Sequence, residues 1–215
     1  MANGARRRSL GCMQIADLLA RDGLPPRLRA LVGIAVSIWR ADWPAMQAWA
    51  SAAKQREQVR ADVEETLLQA VLFCGFPRVV SAFEQLAEIW PAAAPPTGGA
   101  LPPADQVAAG RAVFAGIYGR NADAVDAMLR GFHADFHAFV HEVAYGRVLS
   151  RPHLTAKERE LLAVGLLAAQ DQLRQFAGHA RGALHFGASM AELREVLVTA
   201  LGAEPVADHW LARVR

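Results

Sequence analysis

Two segments of this chain match each other at an offset of 130 residues. Residues 24–70 align with residues 154–200 without a gap, and apolar positions correspond throughout. The identical pairs include Leu24/Leu154, Arg29/Arg159, Leu31/Leu161, Ala50/Ala180, Ala53/Ala183, Ala61/Ala191, Glu65/Glu195 and Leu67/Leu197. Self-similarity at a fixed offset is typical of a helical unit that occurs twice, although alanine-rich helices also align easily by chance. The sequence therefore predicts two related helical units in one chain.

A Pro/Gly-rich segment, PAAAPPTGGALPPAD at residues 91–105, separates the two units. Proline and glycine at this density exclude a long helix, so we expect a linker here. The first unit then covers residues 21–90 and the second covers residues 106–215. Residues 1–20 are expected to form a flexible N-terminal arm.

The composition predicts the fold class and narrows the partners. Hydrophobic residues make up 53% of the chain, and the excess of alanine and leucine favours an all-α fold. A net charge of +2, with no long basic run beyond residues 6–8, argues against nucleic acid as a partner. We find no segment with the roughly 20 consecutive apolar residues of a membrane helix, and therefore expect no membrane association.

The two cysteines, Cys12 and Cys74, lie far apart and form no C-x-x-C pair. A disulfide framework, a zinc knuckle and a thiol redox pair therefore lack support in the sequence. The basic residues at 6–8 are followed by Asp17 and Arg21 before an apolar run of signal-peptide length develops. We expect a soluble protein of the reducing cytoplasm.

Helix ends are easiest to place in the second unit. T-x-x-E from Thr155 and S-x-x-E from Ser189 are capping boxes, which predict helices that begin just after these residues. Asp171 is a candidate cap for a helix between them, and Gly187 and Gly202 stand where the second and third helices should end.

The middle helix of this unit is predicted to have two distinct faces. At 100° per residue, its buried stripe consists of Leu173, Phe176, Ala180 and Leu184, whereas Arg174 and Arg181 point away. Gln172, Gln175 and His179 form a separate line at the edge of that stripe. Glu160, near the start of the preceding helix, can reach the same seam if the two helices pair.

These polar residues resemble a known motif. The E-x11-C-x2-C-x3-H pattern of alkylhydroperoxidase D proteins is similar to Glu160, Gln172, Gln175 and His179, with glutamine in both cysteine places. The chain also resembles the carboxymuconolactone decarboxylases through further matches at Arg151-Pro152, Arg159-Glu160-Leu161, Ala183-Leu184, Gly187-Ala188-Ser189, Glu192-Leu193, Glu195, Glu65, Gln69, Gly75, Phe76, Pro77 and Ala82. This resemblance implies an alkylhydroperoxidase D-like helical fold and a homo-oligomer, trimeric or hexameric.

Departures from the motif limit the chemistry. A thiol peroxidase needs a thiolate nucleophile and a resolving thiol, and glutamine provides neither, so this activity is excluded. In the first unit the positions equivalent to Glu160 and His179 are Ala30 and Trp49. We therefore expect one site per chain, in the second unit.

The resemblance implies a cofactor-independent decarboxylase or related lyase that acts on a small lactone or carboxylic acid. In a carboxymuconolactone, the electrons left by CO2 spread into the lactone carbonyl, so neither a cofactor nor a metal is required. The protein must then supply an acid, hydrogen-bond donors and a cation for the carboxylates. We assign His179 as the acid and Glu160 as its orienting partner. For substrate binding we assign Gln172, Gln175 and Arg151.

Three alternatives remain open. His179 and Glu160 can be packing residues, or their seam can bind a small metabolite without catalysis. The third alternative is a metal-dependent enzyme, because FHADFHAFVHE places His133, His137 and His141 four residues apart, where neighbouring imidazoles can share a metal. A subunit contact or a solvated face also fits these histidines. The adjacent buried stripe is predicted to consist of Phe132, Phe136, Val140 and Val143.

Overall fold

A computed structural model describes residues 14–94 and 98–214. Every regular element in these ranges is helical, which confirms the predicted all-α fold. Eleven α-helices are present in the described ranges: α1 (Ile15–Leu19), α2 (Pro26–Arg40), α3 (Trp43–Gln55), α4 (Arg60–Ile89), α5 (Pro103–Tyr118), α6 (Ala122–Phe132), α7 (Ala134–Phe139), α8 (Ala156–Ala169), α9 (Leu173–His185), α10 (Met190–Leu201) and α11 (Glu204–Leu211). A short 3-10 helix (Gly119–Asn121) precedes α6, and a π-helix (Val140–Leu149) continues α7.

Helix boundaries recur at the offset that the sequence predicts. Helices α2, α3 and α4 begin 130 residues before α8, α9 and α10, respectively. The turns between them correspond as well, because Ala41 and Asp171 both have a left-handed backbone, as do Glu57 and Gly187. Three of these four residues are not glycine, so the shared conformation is not explained by residue type alone. These coincidences support two related helical units.

The predicted helix ends of the second unit are largely confirmed. Both capping boxes are present, at the starts of α8 and α10. Gly187 has φ 88° after the end of α9, and Gly202, with φ 74°, caps the end of α10. The cap assigned to Asp171 is wrong. Asp171 lies in the preceding turn, where its backbone is left-handed with φ 58°. The N-cap of α9 is Gln172, and the Gln172 side chain makes no capping hydrogen bond.

Buried arginines join the two units by exchanged ion pairs. Arg29 of α2 is 0% exposed and Arg159 of α8 is 1% exposed. Arg29 Nη2 lies 3.0 Å from Glu195 Oε2, and Arg159 Nη2 lies 2.9 Å from Glu65 Oε2. Each arginine therefore pairs with a carboxylate of the other unit. A buried charge requires such a partner, so the pairs fix how α2 and α8 lie against α10 and α4.

A second arginine supports each carboxylate in the same way. Arg21 donates to both oxygens of Glu195, at 2.8 and 2.7 Å. Arg151, 130 residues later, donates through its Nε to both oxygens of Glu65, at 2.9 Å. The two networks have the same pattern of contacts, which is further support for the repeat.

Helix α5 and the π-helix add a smaller layer beside α9. They approach closely at two glycines, since a Cβ added to Gly110 would lie 2.7 Å from the backbone nitrogen of Gly146. A small apolar cluster forms around this contact, consisting of Phe114, Ile117, Tyr145 and Leu149. This layer positions the aromatic side chain of Tyr118 against α9.

Helix α4 is the one described helix that is long and apolar enough to cross a membrane, by length and composition only. The sequence does not predict such a helix, because it has no run of roughly 20 consecutive apolar residues. Its backbone breaks the helical conformation at Gly75, with φ 76°, and Pro77 follows. The part before this kink buries Glu65 and Gln69 against Arg159, whereas Phe76 in the second part is 71% exposed.

The N-terminal segment differs in part from its predicted flexible arm of residues 1–20. Residues 14–20 contain α1, in which Leu18 and Leu19 are each 5% exposed and belong to the main core. These leucines lie on the side of α1 that faces α2, and their burial stabilises the short helix. Residues 1–13 lie outside the described residues.

Candidate active site

The central contact of the site joins α8 and α9. Glu160 Oε2 lies 2.8 Å from Nδ1 of His179, and the Glu160 side chain is 2% exposed. The predicted meeting of these two residues is confirmed. Because Nδ1 faces the carboxylate, Nε2 is the ring nitrogen left to exchange a proton with a bound molecule.

A glycine makes this approach possible. A Cβ added to Gly182, one turn after His179, would lie 2.8 Å from Glu160 Oε2 and 3.2 Å from Cα of Ile117. Any larger residue would therefore push α9 away from both α8 and α5. The absence of a side chain at this position allows the carboxylate to lie directly against the helix that carries the histidine.

The first unit anchors Glu160 from the other side. Arg159, its neighbour in the chain, pairs with Glu65, and Gln69 Nε2 donates to the Arg159 carbonyl at 2.8 Å. The start of α8 is therefore held by two residues of α4. This contribution is structural, because it positions the backbone that carries Glu160.

The environment of His179 favours its protonated form. Burial alone would lower the pKa of His179, but the negative charge of Glu160 and the hydrogen bond to it outweigh burial, and the pKa is raised above its usual value. A larger fraction of His179 therefore carries a proton at neutral pH than for a free imidazole. This is the state required of a general acid.

A tyrosine next to His179, and a second tyrosine hydrogen-bonded to the first, were not predicted as site residues from the sequence. The Tyr118 ring of α5 lies 6.4 Å from the His179 ring, centroid to centroid, and Tyr145 of the π-helix donates its hydroxyl hydrogen to Tyr118 Oη at 3.1 Å. Burial raises the pKa of both hydroxyl groups, so both stay protonated. No sequence motif marks Tyr118, because its role depends on how α5 packs against α9.

The structure leaves both predicted glutamines at the surface. Gln172 and Gln175 are exposed, and the Gln172 side chain donates only to the Gln170 carbonyl, at 3.3 Å. This placement gives no support to their predicted role as donors to a bound substrate. Leu173, predicted to be buried, is 38% exposed because it is the first residue of α9, whereas Phe176 and Ala180 are fully buried as predicted.

Arg151 lies in a different environment from the Glu160 and His179 pair. Its guanidinium binds Glu65, and it lines a cavity of about 750 Å³ with Arg60 and His153. None of three cavities found in the described part of the chain, of about 730, 750 and 590 Å³, has His179 or Glu160 in its lining. The structure therefore brings Glu160 and His179 together but does not bring Arg151 to them.

The equivalent positions of the first unit form no such pair. Ala30 is fully buried and Trp49 is 5% exposed. The Trp49 ring packs so closely against Gly33 that a Cβ there would lie 2.3 Å from it. An indole therefore fills the space where the second unit has a carboxylate and an imidazole.

Cys74 lies in an environment that disfavours the thiolate. Burial raises its pKa to about 11, so the thiolate is scarce at neutral pH. This agrees with the exclusion of thiol peroxidase chemistry. Cys12 lies outside the described residues.

The histidine segment does not form the continuous helix that the sequence predicts. His133 has an extended backbone between α6 and α7 and is exposed, so it does not line up with His137 and His141. Those two histidines instead face Asp126 of α6. Hydrogen bonds from His137 and Arg130 lower the pKa of Asp126 to about 2.

The buried stripe predicted beside these histidines is also wrong in part. Phe132 is 65% exposed and Phe136 is 49% exposed, whereas Val140 and Val143 are partly buried. The break at His133 is the reason, because it ends the helical periodicity on which the stripe was based.

Fold and site together define an all-helical protein with a buried glutamate and histidine pair and no nearby thiol pair. The sequence profile of the carboxymuconolactone decarboxylase family matches residues 11–88 and 134–206, which is more than half of the chain. The chain therefore belongs to the carboxymuconolactone decarboxylase family. The segment between the two matches carries α5 and α6, and with them Tyr118 and Asp126.

One characterised relative is similar to part of the chain. The protein named nitrosuccinic acid decarboxylase npaB, from Metarhizium robertsii (strain ARSEF 23 / ATCC MYA-3075), is 39% identical over 59 residues. This segment is 27% of the present chain and 41% of the relative. The similarity therefore spans less than half of either protein.

Proposed function

We propose that this protein is a cofactor-independent decarboxylase of small carboxylic acids, with His179 as its general acid. The single observation that carries the proposal is the 2.8 Å contact between His179 Nδ1 and Glu160 Oε2 in a buried seam. Membership of the family and the name of the similar relative support decarboxylation as the class of reaction.

The reaction requires a substrate that accepts electrons. The bond between carbon and the departing carboxylate breaks, CO2 leaves, and the electron pair moves into a conjugated acceptor. In a carboxymuconolactone the acceptor is the lactone carbonyl, and in nitrosuccinate it is the nitro group, which becomes a nitronate. Both compounds are small carboxylates of this class, and either is a substrate candidate for this chain.

His179 completes the reaction by protonating carbon. Its Nε2 gives a proton to the carbanion carbon, and solvent then restores that proton to the imidazole. Glu160 keeps Nδ1 protonated and stabilises the charged ring. General acid catalysis of this kind contributes about 10²- to 10⁴-fold to the rate.

A hydrogen-bonded pair of tyrosines begins next to the proposed acid. The Tyr118 ring lies next to the imidazole, and Tyr145 donates its hydroxyl hydrogen to Tyr118 Oη. The Tyr118 hydroxyl hydrogen is not used in this bond and can donate to a developing oxyanion, the role assigned from the sequence to Gln172 and Gln175. For Arg151 to bind a substrate carboxylate, its guanidinium must first release Glu65.

The test is CO2 release from 4-carboxymuconolactone and from nitrosuccinate, with product protonation followed in D2O. We expect His179→Asn to reduce kcat by about 10²- to 10⁴-fold. The matched control is His185→Asn, because His185 lies on the same helix but is exposed. Full turnover by His179→Asn would refute the mechanism, and no CO2 from either compound with the wild-type protein would refute decarboxylation of these two substrates.

A ligand-binding protein without catalysis is the second candidate function. The observation in its favour is the cavity of about 750 Å³ lined by Arg60, Arg151 and His153, which can hold a small anion but does not border His179. This candidate predicts that nitrosuccinate binds, as measured by calorimetry, without release of CO2.

A further inference from the structure

Three side chains from consecutive elements converge at one edge of a cavity. Asp126 comes from α6, His137 from α7 and His141 from the π-helix, and one candidate ligand atom of each lies within 4.8 Å of the others. Asp126 Oδ1 is 2.7 Å from His137 Nε2 and 2.9 Å from His141 Nε2. Two imidazole nitrogens therefore lie within 3 Å of the same carboxylate oxygen.

The chain is shaped locally to produce this convergence. The extended residue His133 ends α6 and starts α7, so that α6 turns back and Asp126 faces the next helix. His137 and His141 are four residues apart and lie on one face of α7 and its π-helical continuation. Stretches of π-helix are rare and frequently occur at functional sites.

One nitrogen in this cluster lacks a hydrogen bond. His141 Nε2 is buried, and although it lies 2.9 Å from Asp126 Oδ1, the two atoms do not have hydrogen-bonding geometry. Buried polar atoms without a partner are uncommon in native proteins, so this nitrogen calls for an explanation. A bound cation would accept the lone pair of His141 Nε2 directly.

The second oxygen of Asp126 is already occupied. Arg130 Nη2 lies 2.8 Å from Asp126 Oδ2, one turn further along α6. This contact orients the carboxylate and leaves Oδ1 toward the two histidines. Carboxylates that bind metals are commonly held by such an outer hydrogen bond.

We propose that Asp126, His137 and His141 bind one divalent transition-metal ion of the zinc, cobalt and nickel class. Two imidazoles and one carboxylate are a common ligand set for such ions. Ligand atoms about 2.1 Å from one ion lie roughly 3.0–3.4 Å apart, so the observed separations require only small side-chain shifts. This differs from the sequence hypothesis, since Asp126 takes the place given there to His133.

The open positions of the ion face a cavity of about 730 Å³. Arg111, Gln106 and Glu142 also line this cavity. Three protein ligands leave room for water or a ligand, and a small anion would be attracted both by the ion and by Arg111. The cavity therefore leaves the ion accessible to water or to a small ligand.

The metal site is independent of the proposed active site. Phe114 lies between them, with its ring 4.7 Å from those of both His141 and Tyr118, and Tyr118 in turn faces His179. The metal cluster shares no residue with the Glu160 and His179 pair. Failure of one proposal therefore leaves the other standing.

The experiment uses the full-length protein, stripped with a chelator and then titrated with Zn²⁺ or Co²⁺ in a calorimeter. We expect one equivalent to bind, with a Co²⁺ absorption band that reports nitrogen and oxygen ligands. His141→Ala and Asp126→Asn should each weaken binding by at least about 100-fold. His133→Ala is the matched control, since it removes a neighbouring exposed histidine and should leave the affinity unchanged.

Thermal unfolding keeps the test decisive if a variant is poorly folded. Zn²⁺ should raise the melting temperature of the wild type and of His133→Ala, and it should have no effect on a folded Asp126→Asn variant. The proposal is overturned if the wild type binds neither ion at millimolar concentration. It is equally overturned if folded Asp126→Asn and His141→Ala bind Zn²⁺ as tightly as the wild type.

Discussion

Replacing Glu65 by glutamine should destabilise the protein strongly, because it leaves Arg159 with an uncompensated buried charge. Arg159 is 1% exposed, and burial already lowers its pKa against the opposing effect of Glu65. Breaking a buried ion pair by removing one partner costs about 3–5 kcal/mol.

The structure places this variant at the lower end of that range. Arg159 keeps three hydrogen-bond contacts, one to Gln69 Oε1 at 3.2 Å and two to the Arg151 carbonyl at 3.0 and 3.3 Å. Glutamine also retains one oxygen acceptor. We therefore expect a loss of about 3 kcal/mol in the free energy of unfolding, equivalent to roughly 6–12 °C in melting temperature for a chain of this size.

The assay is thermal and urea unfolding followed by circular dichroism at one protein concentration. Glu64→Gln is the matched control, because Glu64 is the preceding residue on α4 and pairs with Arg60 near the surface. Its loss should cost only about 0.3–0.5 kcal/mol. Equal effects of the two substitutions would refute the reasoning.

The same pair gives a pH dependence with a definite sign. Burial alone would raise the pKa of Glu65, but hydrogen bonds from Arg151 and Arg159 outweigh it and lower the pKa. The carboxylate therefore stabilises the fold fully above its unfolded pKa, about 4.3, and this contribution is lost as the pH falls through the lower folded value. Glu65→Gln should lack this acid-sensitive part of the stability, and an unchanged acid transition would contradict the assignment.

Three further substitutions test other contacts. Glu160→Gln removes the charge that raises the pKa of His179, so the pH at which decarboxylation declines should move down; an unchanged pH profile would exclude His179 as the acid. Gly110→Ala places a Cβ 2.7 Å from backbone and should cost about 1–3 kcal/mol in urea unfolding, whereas Gly131→Ala, with nothing within 4 Å, should be neutral or stabilising. Ser189→Ala removes the side-chain cap of α10 and should lower stability by about 1 kcal/mol, and no change in the urea midpoint would count against the capping box.

Local signals in the sequence predicted the second unit well. The capping boxes at Thr155 and Ser189 and the turn glycine at Gly187 depend on neighbouring residues only, and the structure has them where the sequence indicates. The contact between Glu160 and His179 was also predictable, because their spacing places them on facing sides of a helical hairpin.

Features that depend on packing between elements far apart in the sequence could not be predicted from the sequence. Tyr118 and Asp126 reach their positions through α5 and α6, which lie outside the two segments matched by the family. We assign Arg151 to a substrate from the sequence because the implied reaction needs a cation, and no local pattern predicts its contact with Glu65, 86 residues earlier. The continuous helix predicted through His133 is interrupted there. The extended backbone of His133 lets α6 and α7 pack against each other.

Each half of the chain contains a buried arginine whose carboxylate partner lies in the other half. Arg29 finds its carboxylate at Glu195, and Arg159 finds its carboxylate at Glu65. If the backbone were cleaved in the linker, each fragment would expose an arginine and a glutamate that only the other fragment can neutralise. The linker keeps each half at a high effective concentration around the half that carries its charged partners.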